Sequence, residues 1–443
     1  MTAKARLRIA IVGSGISGLS AAWLLSQRHE VVVYEKARRL GGHSNTIPVR
    51  LGGEEFPVDT GFIVFNPGVY PNFVALLDAL GVASRASDMS FGVSLDRGGL
   101  EYSGDNLKTL FGQRANIARP RFWSMLADLV RFYREARRDA KALDDERLTL
   151  GAYLDRGGYG APFRDWHILP MAGAIWSAAP SEILAYPAAA FLRFHDNHGL
   201  LQLTRRPIWR TVCGGARAYV ERLARPFAAS IRLGADVARI ERASGRAAVV
   251  ERDGARDVFD HVVIATHADE ALALLSDPSA QERAWLGAFR YSRNEAWLHA
   301  DATLMPRRRS VWSSWNFIGA GAGCAGVTYW MNRLQSLPTS TNLFVTLNPP
   351  HPPQETSVIK REIYAHPLFD ASALAAQKRL WRLQGVNNTW FCGAHFGAGF
   401  HEDGLQSGLA VAEQLGGVSR PWRVEGESAR IHVGAPAAWE AAA

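Results

Sequence analysis

The chain is poor in cysteine: Cys213, Cys324 and Cys392 are its only three, far apart in 443 residues. They form no C-x-x-C pair, which excludes a disulfide framework and a cysteine zinc site and fits a reducing cytoplasm. Lysine is scarce too, six of the 50 basic residues, so arginine carries the net charge of +8. No block of about five or six like charges forms a basic arm, so nucleic acid is not an expected partner. A basic surface then points to other phosphate-rich matter, such as anionic lipid headgroups. No apolar run reaches about 20 uninterrupted residues, so no spanning helix is expected. H-E-x-x-H and G-x-S-x-G are both absent, so neither a metal centre nor a serine nucleophile is expected.

What is present is ordinary globular material: 47% hydrophobic and 21% charged, in a length that implies roughly two or three domains. Lys4, Arg6 and Arg8 precede an apolar run from Ile9 to Leu25 that superficially resembles a secretory signal. Gly13, Gly15 and Gly18 interrupt it at a different and more informative spacing. Leu7 to Val12, with β-branched Ile9, Ile11 and Val12, reads as a buried parallel strand. It runs into Gly13-Ser14-Gly15-Ile16-Ser17-Gly18 and then a helix from Leu19 to Leu25. In this pattern the first glycine permits a tight turn, the second admits a pyrophosphate, and the third lets helix and strand pack closely. The helix N-terminus offers free N–H groups and a positive dipole end. A second strand, Val31 to Tyr34, ends on Glu35, twenty residues past Gly15. A carboxylate there accepts ribose hydroxyls.

Beyond that acid the chain reads Glu35-Lys36-Ala37-Arg38-Arg39-Leu40-Gly41-Gly42-His43. This resembles the E-x-x-x-R-x-G-G extension of the flavin-containing amine oxidase superfamily, which also holds protoporphyrinogen oxidases, carotenoid desaturases and lipid-modifying enzymes. The resemblance implies FAD and an α/β fold (α+β overall), with a Rossmann-like FAD-binding domain and an interleaved substrate domain. By the same resemblance, Lys36, Arg39, Gly41, Gly42 and His43 carry the chain past the pyrophosphate and under the flavin. His43 stands where the family often has arginine. Thr60 and Gly61, in Asp59-Thr60-Gly61-Phe62, stand where such proteins often have an acid-glycine turn, which implies a place near the isoalloxazine.

Family members return to the cofactor twice more. Val237, in the run from Gly234 to Ile240, resembles the strand whose backbone meets the adenine, and Asp260 to Thr266 reads as a buried strand reaching the cofactor at Thr266. Trp390-Phe391-Cys392-Gly393 reads as a strand ending in glycine. After a loop of Gly and His, Gly404-Leu405-Gln406-Ser407-Gly408 opens a helix through Leu415. In the family this helix N-terminus faces the flavin N1–C2=O edge, where its dipole favours negative charge. Ala394 stands where many relatives carry an acid, leaving Glu402 or Asp403 to compensate. The implied division is 1–70, 205–275 and 385–420 for the FAD domain, 71–204 and 276–384 for the substrate domain, and 421–443 for a tail.

Four histidines are candidate proton acceptors, because imidazole titrates in the useful range. His195 and His198 sit in an aromatic stretch of the substrate domain, and His395 and His401 lie in the flavin segment itself. Tyr329 is a further candidate. The Gly214-Gly215 pair resembles that of carotenoid desaturases and their relatives. Gly319 to Gly323 reads as a flexible loop rather than a second nucleotide site, because it follows a polar aromatic stretch, Trp312 to Phe317, instead of a strand. Arg121 to Leu143 is a helix with Phe122, Leu126, Leu129 and Tyr133 on one face. Arg131, Arg134, Arg137, Arg138 and Lys141 crowd its second half, either a solvated face or a headgroup contact.

The chain also resembles the bacterial branch of predicted NAD/FAD-binding amine oxidases that accompany cyclopropane-fatty-acid-synthase-like methyltransferases. That resemblance implies a dehydrogenase or desaturase of the acyl chain of a phospholipid, methylated or not, similar to a desaturase of furan fatty acid synthesis. Such a methyltransferase would be its functional partner, in the cytoplasm or peripheral on the inner membrane face. Two other readings stand beside it. A true amine oxidase usually holds a lysine near flavin N5, and none occurs between Phe259 and Ile359. A non-catalytic flavoprotein would partner a lipid-modifying enzyme.

Overall fold

The run Arg8–Val12 is a strand, and its Ile9, Ala10, Ile11 and Val12 are buried. It lies parallel between Glu30–Glu35 and His261–Ile264. The computed structural model describes residues 6–435, apart from Asp144, Glu146, Ser177, 203–205 and 320–324. Ile231–Leu233 and Thr389–Phe391 add parallel edges. The result is a five-stranded sheet drawn from both ends and the middle of the chain. A parallel sheet has to be covered on its faces, and the helices Ile16–Leu25 and His401–Gly416, packed against each other, serve that end. Their contact is close because Gly408 has no side chain: a Cβ there would fall 2.2 Å from the Ser17 carbonyl oxygen.

A seven-stranded mixed sheet stands beside this unit, in the order Val358–Leu368, Arg290–His299, Phe344–Leu347, Ala325–Trp330, Trp315–Gly319, Phe91–Leu95, Leu100–Ser103. A helical layer packs around Phe122, Phe132, Phe163 and Phe191. It includes the long helix Pro120–Ala142 and the helix Ala188–Asn197 against it. Residues Val237–Ala243, Arg246–Glu251 and Arg256–Phe259 make a separate antiparallel meander.

Three local expectations are corrected. The fingerprint helix begins at Ile16 rather than Leu19, with Gly15 as its N-cap. The C-terminal helix begins at His401 rather than Gly404, because the Asp403 carboxylate accepts the Phe400 N–H and caps the turn. Trp315–Gly319 is a strand, paired with Ala325–Trp330 and Phe91–Leu95. Its buried Asn316 is tolerated there because the side chain accepts from Ser313 N–H and donates to the Ser313 and Thr328 carbonyls. The loop expected from Gly319 to Gly323 lies outside the described residues beyond Gly319 itself. Among the described residues no helix is long and apolar enough to cross a membrane, and no group of three His, Cys, Asp or Glu could hold a metal ion.

Candidate functional site

The three fingerprint glycines do three different things. Gly13 turns the chain with φ +101°, a conformation that L side chains rarely adopt. A Cβ on Gly18 would fall 2.0 Å from the Gly13 carbonyl oxygen and 3.1 Å from the Ala265 Cβ, so that position is closed by the fold itself. A Cβ on Gly15 would meet nothing within 4 Å. Gly15 caps the helix with no side-chain hydrogen bond, and the first turn carries no acid. The helix N–H groups therefore face a space the protein leaves open, as a diphosphate requires.

The other expected contacts gather round this space. Gly42 lies against Gly15, its Cβ position 3.2 Å from the Gly15 Cα. Gly41 N–H donates to the Ser14 carbonyl, and Arg39 folds back to donate to the Gly42 carbonyl at 2.8 Å. The Glu35 carboxylate accepts from Ser14 N–H, Ser14 Oγ–H and Ala37 N–H. Lys36 pairs with Asp236, and Ala235 N–H donates to the Glu35 carbonyl, which brings the half-buried Val237 beside the acid. Gly61 approaches the His43 carbonyl so closely that a Cβ would sit 2.2 Å away, and Thr60 Oγ bonds the Tyr364 hydroxyl at 2.7 Å. At the far end, Gly404 meets Ile16, its Cβ position 3.0 Å from the Ile16 Cγ2. Leu405 is buried, and Ser407 Oγ links to both Gly393 N–H and C=O. Two helix N-termini are thus brought together over one strand edge, near Thr266, whose hydroxyl donates to the His267 carbonyl.

Glu402 and Asp403 do not behave as spare acids. Glu402 accepts from Asn72 and Phe73 N–H, Asn72 Nδ2 and Gln406 Nε2, so it caps the helix Pro71–Ala79. Asp403 is paired with Arg430 at 2.6 Å. Neither acid is free to take the place that Ala394 leaves. Asp59, also buried, accepts from Thr46, Ala216 N–H and Gln335, and burial pushes its carboxyl up to about 7.

The candidate proton acceptors are all desolvated. His195 and His198 each donate from Nδ1 to the carbonyl four residues earlier, Phe191 and Phe194, which fixes Nε2 as an acceptor, and neither Nε2 has a partner. Burial lowers them to about 4 and about 3. His395 Nε2 is also buried without a partner, and burial followed by nearby His267 lowers it to about 3. His401 stacks on Phe62 at 3.7 Å and hydrogen-bonds the Tyr219 hydroxyl at 2.7 Å. Burial takes it to about 3. Tyr329 packs edge-on against Trp315 in the second sheet, and burial raises its hydroxyl far above the ordinary range. His198 and Phe194 adjoin Phe400, the cap of the C-terminal helix, whereas His195 sits one layer farther out against Trp176 and Phe191.

The sequence reading missed a second histidine group. His43 lies 5.9 Å from His267 and 5.6 Å from His366, ring to ring, with Tyr364 at 5.0 Å. Burial, then the neighbouring His366 and His267, hold His43 well below its usual range. The tautomer of His366 follows from a chain of bonds. Glu295 N–H donates to Asn348 Oδ1, Asn348 Nδ2 to Asn294 Oδ1, and Asn294 Nδ2 to His366 Nδ1. His366 therefore carries its proton on Nε2. His267 was signalled by its place directly after Thr266; His366 lies in the edge strand Val358–Leu368, where nothing in the sequence marks it.

An open space at a glycine-lined helix start, with an acid at the end of the neighbouring strand, is what FAD needs, and these residues fit it. The fold and site define an FAD-dependent oxidoreductase. Residues 16–293 match the family of flavin containing amine oxidoreductases, and the chain belongs to that family. It is similar to a 4,4'-diapophytoene desaturase of Staphylococcus aureus, 41% identical over 66 residues, which is 14% of this chain and 12% of that protein. An uncharacterized protein of Methanocaldococcus jannaschii is 44% identical over 61 residues, 14% of each chain. The chain thus spans only a small part of these curated relatives. Among solved structures it is similar to putrescine oxidase bound to putrescine (16% identity, 93% of this chain and 99% of that one, TM-score 0.68). It is also similar to a fatty acid isomerase of P. acnes that produces CLA (16% identity, 92% and 98%, TM-score 0.65). At such identities these likenesses concern the fold.

Proposed function

We propose that this enzyme dehydrogenates an apolar substrate, most simply a fatty-acyl chain of a phospholipid, methylated or not. The observation that carries the reading is a cavity of about 210 Å³ walled by Trp176, Ile183, Tyr186, Phe191, Leu368 and Phe369. Packed aromatic rings lie between it and the candidate flavin segment. Trp176 touches Phe194 at 4.9 Å, and Phe194 stacks on Phe400 at 4.8 Å. Phe369 and Pro367 also abut Gly399. Of the two carboxylates at the cavity, one is paired with a cation. Glu182 accepts the Ala179 N–H, and Asp370 caps the helix Ala371–Gln377 and pairs with Arg290. The aromatic and aliphatic wall itself offers an ammonium no counter-charge, whereas a hydrocarbon needs none.

Bound FAD supplies the hydride acceptor. The protein's part is to exclude water with the aromatic wall, hold the chain in line, and accept a proton. His198 suits the last task best, because its Nε2 lone pair is open and its ring adjoins Phe400. A neutral, desolvated imidazole is ready to accept a proton but holds it weakly. In keeping with the reading, a cyclopropane-fatty-acid-synthase-like methyltransferase in the same cytoplasm would supply the modified acyl chain. The test is anaerobic mixing of the yellow holoprotein with detergent-dispersed phospholipids, and separately with putrescine and longer polyamines. Bleaching of the flavin by lipid alone supports the proposal; bleaching by an amine alone overturns it in favour of amine oxidation, and bleaching by neither favours a non-catalytic partner.

A further inference from the structure

Nine large apolar side chains are exposed among the described residues, and four of them fall within one stretch: Leu107, Ile117, Trp123 and Val130, at 75%, 55%, 50% and 46%. They are joined in space. Leu107 and Phe111 are linked through one turn, the Phe111 and Trp123 rings are 5.5 Å apart, and Trp123 Nε1 donates to the Ile117 carbonyl at 2.8 Å. With its one polar atom satisfied, the indole presents hydrocarbon. Val130 lies two turns along the helix Pro120–Ala142 on the same side as Trp123.

The charges around this patch are one-sided. Lys108, Arg114, Arg121, Arg134 and Lys141 are exposed. Arg121 lies over the Trp166 ring rather than a carboxylate. The acids of the long helix are used internally: Asp128 by Arg131 and Gly160 N–H, Glu135 by Tyr159 and Arg131, and Asp139 by Tyr153 and Arg138. Asp105, beside the short helix Leu107–Leu110, is held by Arg333. The exposed face therefore carries Trp123 and Val130 along the first half of the long helix and Arg134 and Lys141 along the second, with Arg121 at its start. That is the composition of a helix lying in a headgroup boundary.

We propose that this face docks the protein on an anionic membrane surface, with Leu107, Ile117, Trp123 and Val130 entering the boundary and the flanking cations meeting lipid phosphate. An acidic protein would satisfy the cations but leave the indole and three aliphatic chains to find a matching patch; a bilayer of anionic lipid meets both needs at once. The buried side of the same helix packs on Ala188–Asn197, whose Phe191 walls the cavity. The docking itself does not depend on what the cavity accepts.

The experiment is co-sedimentation of the holoprotein with vesicles of phosphatidylcholine alone and of phosphatidylcholine mixed with phosphatidylglycerol, over a salt series. Binding to the mixed vesicles only, weakening with salt, is expected. Trp123→Ser with Val130→Ser should remove it. Arg134→Ser with Lys141→Ser should weaken it about 25-fold, at about fivefold per surface cation. Flavin content and melting temperature should stay at wild-type values in both variants. Wild-type protein that ignores vesicles, binds neutral and anionic ones alike, or binds as well after both pairs of substitutions would overturn the docking. Flavin bleaching by detergent-dispersed lipid reports on the substrate separately, so either idea can fail alone.

Discussion

Replacing Gly15 by alanine should spare the fold and weaken the cofactor. Gly15 has φ −65° and ψ −179°, open to any residue, and an added Cβ would meet nothing within 4 Å. The apoprotein should therefore stay within about 1 kcal/mol of wild type, because alanine's smaller loss of freedom on folding is offset by its weaker helix capping. The methyl group would stand in the space that the diphosphate needs. Displacing the phosphates from two helix N–H groups forfeits about 1.5–3 kcal/mol each, since hydrogen bonds to charged groups are the strong ones. The sum, about 3–6 kcal/mol, is roughly a 10²–10⁴-fold loss in FAD affinity. Gly18→Ala is the control, because its Cβ would collide with the Gly13 carbonyl at 2.0 Å and should damage the fold before any ligand arrives. Fluorescence titration of apoprotein with FAD gives the affinity, and urea unfolding of the same apoprotein gives the stability. A Gly15→Ala protein that keeps wild-type FAD affinity would refute the reasoning, as would one whose apo form unfolds like Gly18→Ala.

Glu35→Ala should weaken FAD by about 1.5–3 kcal/mol, the worth of a charge-assisted bond to ribose, and it should also loosen Ser14; the same titration measures it. Alanine at His195, His198, His395 or His401 should leave the protein yellow. Only a true proton acceptor should slow flavin reduction by substrate, by about 10²–10⁴-fold in stopped flow, with His198 the expected one; wild-type rates in all four would move the role to water or to the substrate. Arg430→Ala strands the buried Asp403 carboxylate and should cost about 3–5 kcal/mol in urea unfolding, with a value under about 1 kcal/mol counting against a buried pair. Burial holds His195, His198 and His395 at about 4, 3 and 3, against 6.5 when free. The unfolded chain thus binds protons that the folded chain refuses. Stability is complete above pH 6.5 and falls on acidification toward pH 4, at about 1.4 kcal/mol per pH unit for each histidine. A melting temperature that stays flat from pH 7 to 4.5 would show these rings to be solvated.

How far the sequence alone determines this protein depends on how local the signal is. The strand-glycine-helix unit at residues 8–25 and the acid at Glu35 are contiguous, and each glycine's task is set by neighbours within a few residues or by the strand beside it. The short β-branched or aromatic runs ending at Thr266 and Gly393 marked strands, and the family resemblance implied their return to one sheet, where His261–Ile264 and Thr389–Phe391 indeed pair. Tertiary structure decided what several side chains are free to do. Glu402 and Asp403 looked available until Asn72, Phe73 and Arg430, distant in sequence, were seen to occupy them. His366 meets His43 only because the edge strand of one sheet passes the turn after Gly42, and its tautomer is set by Asn294 of the neighbouring strand and Asn348 just past another. A titratable group's chemistry depends on who desolvates it and who bonds it. Those partners are chosen by packing across the fold, so no local pattern encodes them.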